Sequence, residues 1–86
     1  MKVKGINNSD GSSISESEKI IKLLTDREIE FTQNCCSELT YKEIAAKMNV
    51  NYRTVDGYRE SVFNKLSIKS RTGLVLFAVQ HGLVEA

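Results

Sequence analysis

The sequence has only one histidine and two cysteines, and it contains no run of eighteen apolar residues and no glycine-rich phosphate loop. Each shortage closes off a class of function. A membrane-spanning helix needs roughly 20 predominantly apolar residues, and none is expected. The opening residues carry no apolar stretch of the kind a secretory signal needs. Cys35 and Cys36 are adjacent. That spacing suits neither a disulfide framework nor a zinc site, and a reducing cytoplasm is the compartment it suggests. A lone His, no carboxylates paired at a working spacing and no cluster of metal ligands leave little for catalysis to use. At 86 residues the chain supports one domain with a modest core, too small to enclose a roomy cleft. The expectation is a non-enzyme without metal or cofactor.

What is present is charge, unevenly placed. Residues 1–39 hold five Lys/Arg against seven Asp/Glu, a balance of −2. Residues 40–71 hold seven (Lys42, Lys47, Arg53, Arg59, Lys65, Lys69, Arg71) against three (Glu43, Asp56, Glu60), a balance of +4. Residues 72–86 add −1 from Glu85. Clustered cations of this kind are the footprint of a polyanion binder, because each phosphate contacted releases condensed counterions. An ordinary solvated helix face would look the same by charge alone.

Along the chain, the Gly-, Ser- and Asn-rich opening of residues 1–22 reads as a linker or tail, partly disordered, tethering the domain to something upstream. Ile20, Ile21, Leu23 and Leu24 could dock it to the body. Thr25-Asp26-Arg27-Glu28 spells a capping box, with Leu24 and Ile29 at staple positions. A first helix is expected from about Asp26 to Cys36, with Phe31 and Cys35 inward and a partly wet side at Thr32 and Asn34. The two cysteines read as small hydrophobes, with a redox sensor as the rarer alternative.

Thr40-Tyr41-Lys42-Glu43 is a second capping box, opening a helix through Met48 whose buried stripe is Ile44, Ala45 and Met48. Asn49-Val50 turns the chain and Asn51 caps a third helix, roughly Tyr52 to Leu66. Its faces separate: Val55, Val62, Phe63 and Leu66 point inward, while Arg53, Asp56, Gly57, Glu60 and Asn64 lie opposite. A narrow polar face starting at a helix N-terminus, after a short helix and a tight turn, is the pattern of a recognition helix in the DNA major groove. Gly57 costs about 1 kcal/mol relative to Ala within a helix, which close approach to bases would justify; the alternative is simple tolerance of glycine at an exposed site. Ser70 caps a fourth helix, Thr72 to His81, with Leu74, Phe77 and Ala78 toward the core. Val75, Leu76 and Val79 are left over as an apolar strip, and Gly82 with Leu83 ends the helix. His81 near that end reads as a partner of the helix dipole.

The blocks LTDREIEF, LTYKEIAAKMNVNYRTVDGYR, KLSIKSR and HGL, in this order and spacing, resemble the LuxR/GerE-type helix-turn-helix over residues 23–84. The likeness is strongest to the C-terminal output domains of NarL/FixJ-type response regulators. It implies an all-α four-helix bundle over residues 23–86, with its helix-turn-helix at about 41–60. It also implies double-stranded DNA (promoter repeats) as partner, a homodimer formed through the last helix, and RNA polymerase as a further partner. An upstream receiver or sensor domain belongs to that pattern, and this chain has no room for one.

Role by role, the resemblance assigns Tyr41, Lys42, Thr54, Tyr58, Arg59, Lys65, Ser70 and Arg71 to the DNA backbone. The outward polar face of the third helix gives base reading to Arg53, Asp56, Gly57 and Glu60, and the leftover apolar strip gives dimerisation to Val75, Leu76 and Val79. Asp56, Gly57 and Glu60 depart from the basic or bulky residues many relatives use, which bears on the target sequence. A protein-interaction module on the same fold, and a stand-alone small regulator of the GerE kind, are the alternatives.

Overall fold

Among the described residues, every helix begins where a side-chain oxygen takes up a backbone N–H that the first turn leaves unpaired. The computed structural model describes residues 15–85. Ser15, Thr25 and Thr40 form reciprocal capping boxes with Glu18, Glu28 and Glu43. Asn51 accepts from the Thr54 N–H at 2.8 Å and Ser70 from the Gly73 N–H at 3.0 Å. The helices so started are α1 (Glu16–Ile21), α2 (Asp26–Cys35), α3 (Tyr41–Met48), α4 (Tyr52–Leu66) and α5 (Arg71–Gln80). The all-helical expectation holds, and no strand occurs among the described residues.

The helices stop as decisively. Asn49 and Ser67 take left-handed backbone conformations after α3 and α4, at φ 61° and 56°. At the end of α5 the Leu83 N–H donates to the Ala78 carbonyl at 2.8 Å and the Gly82 N–H to that of Val79 at 3.3 Å. This double bond pattern requires Gly82 at φ 76°, a conformation that costs a side-chain-bearing residue roughly 1–2 kcal/mol.

Packing gathers around α2, which lies against α3, α4 and α5, while α3 also crosses α4. Phe31, Ile44, Val55, Val62 and Leu74 contribute one or two fully buried side chains from each of these helices. Each such burial stabilises the fold by about 1.5–3 kcal/mol. Ala45 is buried in the core, and its carbonyl accepts from the Val50 N–H at 2.9 Å where the turn closes the end of α3.

Three local expectations change. Residues 16–21, assigned to the linker by composition, form α1, because Ser15 and Glu18 supply a capping box at the same spacing as Thr25 and Glu28. A fifth helix therefore precedes the four-helix body; residues 1–14 of the expected linker lie outside the described residues. Thr32 and Asn34 are buried rather than wet. Each satisfies its polar group on its own helix, Thr32 Oγ1 on the Glu28 carbonyl at 2.8 Å and Asn34 Nδ2 on that of Glu30 at 3.0 Å. Phe77 is only half-buried; its ring lies 4.3 Å from that of His81, whose Nδ1 is 2.7 Å from Ser17 Oγ of α1.

Candidate nucleic-acid interface

The outer face of α4 is bare. Arg53, Asp56, Gly57, Glu60 and Asn64 are all exposed, and a Cβ placed on Gly57 would meet nothing within 4 Å. No neighbour inside the protein demands a glycine there. An open groove of about 410 Å³ runs along Asp56, Glu60 and Asn64 with Phe63 and Ile68 among its walls. It encloses nothing, unlike the clefts that hold small ligands.

The inner side of α4 is held by a buried ion. The Glu28 side chain is only 7% exposed, and its Oε1 accepts from Lys65 Nζ at 2.8 Å and from the Thr25 N–H at 2.9 Å. Its Oε2 accepts from Ser61 Oγ at 2.6 Å. Burial opposes the charged carboxylate. The Lys65 ammonium, the Ser61 hydroxyl and the Thr25 amide outweigh it, so the Glu28 carboxyl titrates below its ordinary range. Residues 33 and 37 positions away thereby fix the roll of α4 against α2.

A second knot ties α3, α4 and α5 to the end of α2. Tyr41, first residue of α3, stacks on Phe31 at 6.2 Å, and two guanidiniums lie over its ring, Arg71 at 5.1 Å and Arg59 at 5.5 Å. Such cation–ring contacts contribute about 0.5–1 kcal/mol at exposed sites. Arg71 also donates through Nε to the Cys35 carbonyl at 3.1 Å and through Nη2 to that of Ser37 at 3.0 Å, closing the end of α2. Burial pushes the Tyr41 phenol up, against the pull of both arginines. Arg59 makes an ion pair with Asp56 one turn earlier on α4.

The residues proposed to touch the DNA backbone therefore divide. Lys42 is exposed near the start of α3 and, among the described residues, makes no ion pair. Lys65 and Arg71 are engaged within the protein, on Glu28 and on the α2 carbonyls. Thr54 Oγ1 donates to Asn51 Oδ1 at 3.0 Å and Ser70 Oγ accepts from Gly73, so both serve caps. The Tyr58 ring is half-buried 6.1 Å from Phe31. On α5, Leu76 and Val79 are 65% and 38% exposed and Val75 is half-buried.

Sequence inspection missed Glu28 as the anchor of α4, since its capping box already accounted for the carboxylate. It also missed Arg27, whose Nη2 donates to the Met48 carbonyl at 2.9 Å and so closes α3. Cys35 is buried, and that burial pushes its thiol up to about 12; a sensor thiol needs the opposite shift.

A short helix, a left-handed turn and a longer helix with a bare polar face, clamped from behind, define a helix-turn-helix domain. Residues 22–78 match the family described as bacterial regulatory proteins, luxR family, and the chain belongs to that family. The resemblance carried by the sequence blocks is thus borne out. Over 80 residues the chain is 31% identical to the oxygen regulatory protein NreC of Staphylococcus epidermidis, covering 93% of this chain and 37% of that protein. It is 41% identical over 75 residues to the response regulator Rre1 of Synechocystis, covering 86% of this chain and 32% of that one. To the response regulator GacA of Pseudomonas viridiflava it is 39% identical over 64 residues, covering 74% and 30%. The chain spans about a third of the length of these relatives. Family and relatives support bacterial transcription regulation through DNA binding, a regulator class and not an enzyme class. No helix of the described residues is long and apolar enough to cross a membrane.

Proposed function

We propose that this domain binds promoter DNA sequence-specifically by laying α4 in the major groove, as the cytoplasmic output domain of a two-component response regulator. The observation that carries this is the contrast between the two sides of α4. Its back is locked by Val55, Val62 and the Glu28–Lys65–Ser61 cluster, while its front is exposed, with open space at Gly57. A rigid helix with an unoccupied polar face is prepared for an external partner, and the partner class of the family is DNA.

In this assignment Arg53, Asp56, Gly57 and Glu60 face base edges. Lys42, Tyr41, Thr54, Tyr58, Arg59, Lys65, Ser70 and Arg71 surround them toward the phosphates, directly or by holding neighbours in place. Arg53 suits guanine O6 and N7, the usual bidentate target of an arginine. Val75, Leu76 and Val79 serve a homodimer that sets two copies of α4 on successive major grooves, about 34–36 Å apart. An upstream receiver would govern the pairing, and RNA polymerase would meet the complex once bound.

The test is a fluorescence titration with duplexes selected from a randomised pool, at several salt concentrations, beside thermal melts of each variant. Affinity should fall with salt. Arg71→Ala should weaken binding to all duplexes alike, while Arg53→Ala should change which duplexes are preferred. Salt-independent affinity, or no binding by a folded protein, would reject DNA as the partner. Equal losses at both positions with unchanged preference would remove Arg53 from base reading.

A further inference from the structure

The cations of α4 are largely spoken for before any DNA arrives. The helix carries three, Arg53, Arg59 and Lys65, and two acids, Asp56 and Glu60. Lys65 is engaged by Glu28 and Arg59 by Asp56. Among the described residues Arg53 and Glu60 make no ion pair, and their charges offset each other. At rest, then, the helix offers phosphates no net unengaged positive charge. Resting on the assignment of α4 as the DNA-facing helix, we propose that Asp56 is a specificity-determining residue. It acts as an internal counter-ion, withholding Arg59 from phosphates unless the base beneath it supplies a replacement partner.

The geometry makes this exchange feasible. Asp56 and Arg59 sit one turn apart, their side chains 49% and 38% exposed, so water screens the pair and it separates at small cost. Arg59 does not collapse when released, because its guanidinium is also steadied over the Tyr41 ring. A phosphate that draws Arg59 away leaves Asp56 negative, unpaired and facing an electronegative groove. Only a base with an exocyclic N–H donor, cytosine N4 or adenine N6, restores a hydrogen bond to the carboxylate. On such a site both residues end up partnered. On other sequences either Arg59 stays with Asp56 and one phosphate contact is missing, or Asp56 is stranded. Discrimination then comes from weakening the wrong complexes rather than strengthening the right one.

The experiment compares the parent with Asp56→Asn, which keeps the side chain's shape and removes its charge, on two probes. One is a random-sequence duplex pool of about 20 bp, the other the best duplex selected from such a pool by the parent. Asp56→Asn should bind the random pool roughly 3- to 10-fold more tightly, with a log–log salt slope steeper by about one phosphate contact. Its preference for the selected duplex should shrink. In an Arg59→Ala background Asp56→Asn should relieve only the repulsion of the unpaired carboxylate, so the gain should be smaller and the salt slope should no longer steepen by a phosphate contact. An Asp56→Asn gain that keeps its full size and its steeper salt slope without Arg59, or that Glu60→Gln reproduces in full, would overturn the counter-ion assignment, since either shows a generic loss of repulsion. Unchanged random-pool affinity would overturn it too. A parent that is folded by circular dichroism yet binds neither probe would instead reject the DNA-binding assignment, and the present one with it.

Discussion

Gly57→Ala should make the domain more stable and worse at its task. Gly57 lies inside the fifteen-residue helix α4, where glycine is about 0.8–1.0 kcal/mol less favourable than alanine. The added Cβ meets nothing within 4 Å, so no steric cost offsets that gain. For a domain of this size about 1 kcal/mol raises the melting temperature by roughly 4–8 °C. At the DNA the sign reverses. A methyl group inserted where the helix backbone meets base edges either lifts α4 or forces its neighbours aside. Overpacking of well-packed contacts costs about 1–3 kcal/mol, equivalent to an affinity loss of about 5- to 150-fold. Thermal melts by circular dichroism and anisotropy titrations on the selected duplex measure the two effects separately. Opposite signs cannot arise from partial unfolding, which would lower both. A variant that melts higher and binds as tightly as the parent would refute the close-approach role of Gly57. A variant that melts lower would refute the reading of its surroundings as open.

Two further outcomes follow from contacts elsewhere. Because Glu28 titrates lower in the folded chain than in the unfolded one, the unfolded chain binds more protons as pH falls through the ordinary carboxylate range, and stability must drop there. Glu28→Gln should lose about 1–3 kcal/mol at neutral pH, and its urea midpoint should then fall less than the parent's between neutral pH and pH about 3; parallel curves would remove Glu28 as a stabilising anion. Val79→Glu should diminish the two-protein complex on a selected duplex in sedimentation experiments, while a single copy still binds. An unaltered two-protein complex would take the apolar strip of α5 out of the dimer contact.

The sequence was most readable where the physics is local. The boxes Thr25–Glu28 and Thr40–Glu43, the cap at Asn51 and the stop at Gly82 involve partners only a few residues apart, and each is realised. The inward faces of α3 and α4 followed from spacing alone. Long side chains were less readable, because their partners can lie far along the chain. Arg71, expected at the phosphates, also donates to the Cys35 and Ser37 carbonyls. Nothing in the local sequence reveals that the cap carboxylate of Glu28 also accepts from Ser61 and Lys65, since those partners arrive only with the tertiary fold. Thr32 and Asn34 show the same limit from the polar side, because a residue type that normally seeks water found its partner on its own helix. The helix α1 was a different omission: Ser15-Glu16-Ser17-Glu18 carries a legible cap, outweighed by the serine-rich composition around it.

The contact between Ser17 and His81 has a mechanical side. These residues stand near opposite ends of the described chain, yet their side chains meet at 2.7 Å, so the path of the polypeptide almost closes on itself. Tension applied between the two ends would be shared by the bond from Gln33 Nε2 to the Leu83 carbonyl, at 3.1 Å, and by this one. Behind it, Leu24 is the first residue seated in the core, and the anchor of α4 at Glu28 comes only after that. A pull on the chain ahead of α1 would meet the Ser17–His81 bond before it reached Leu24 in the core or the Glu28 anchor of α4.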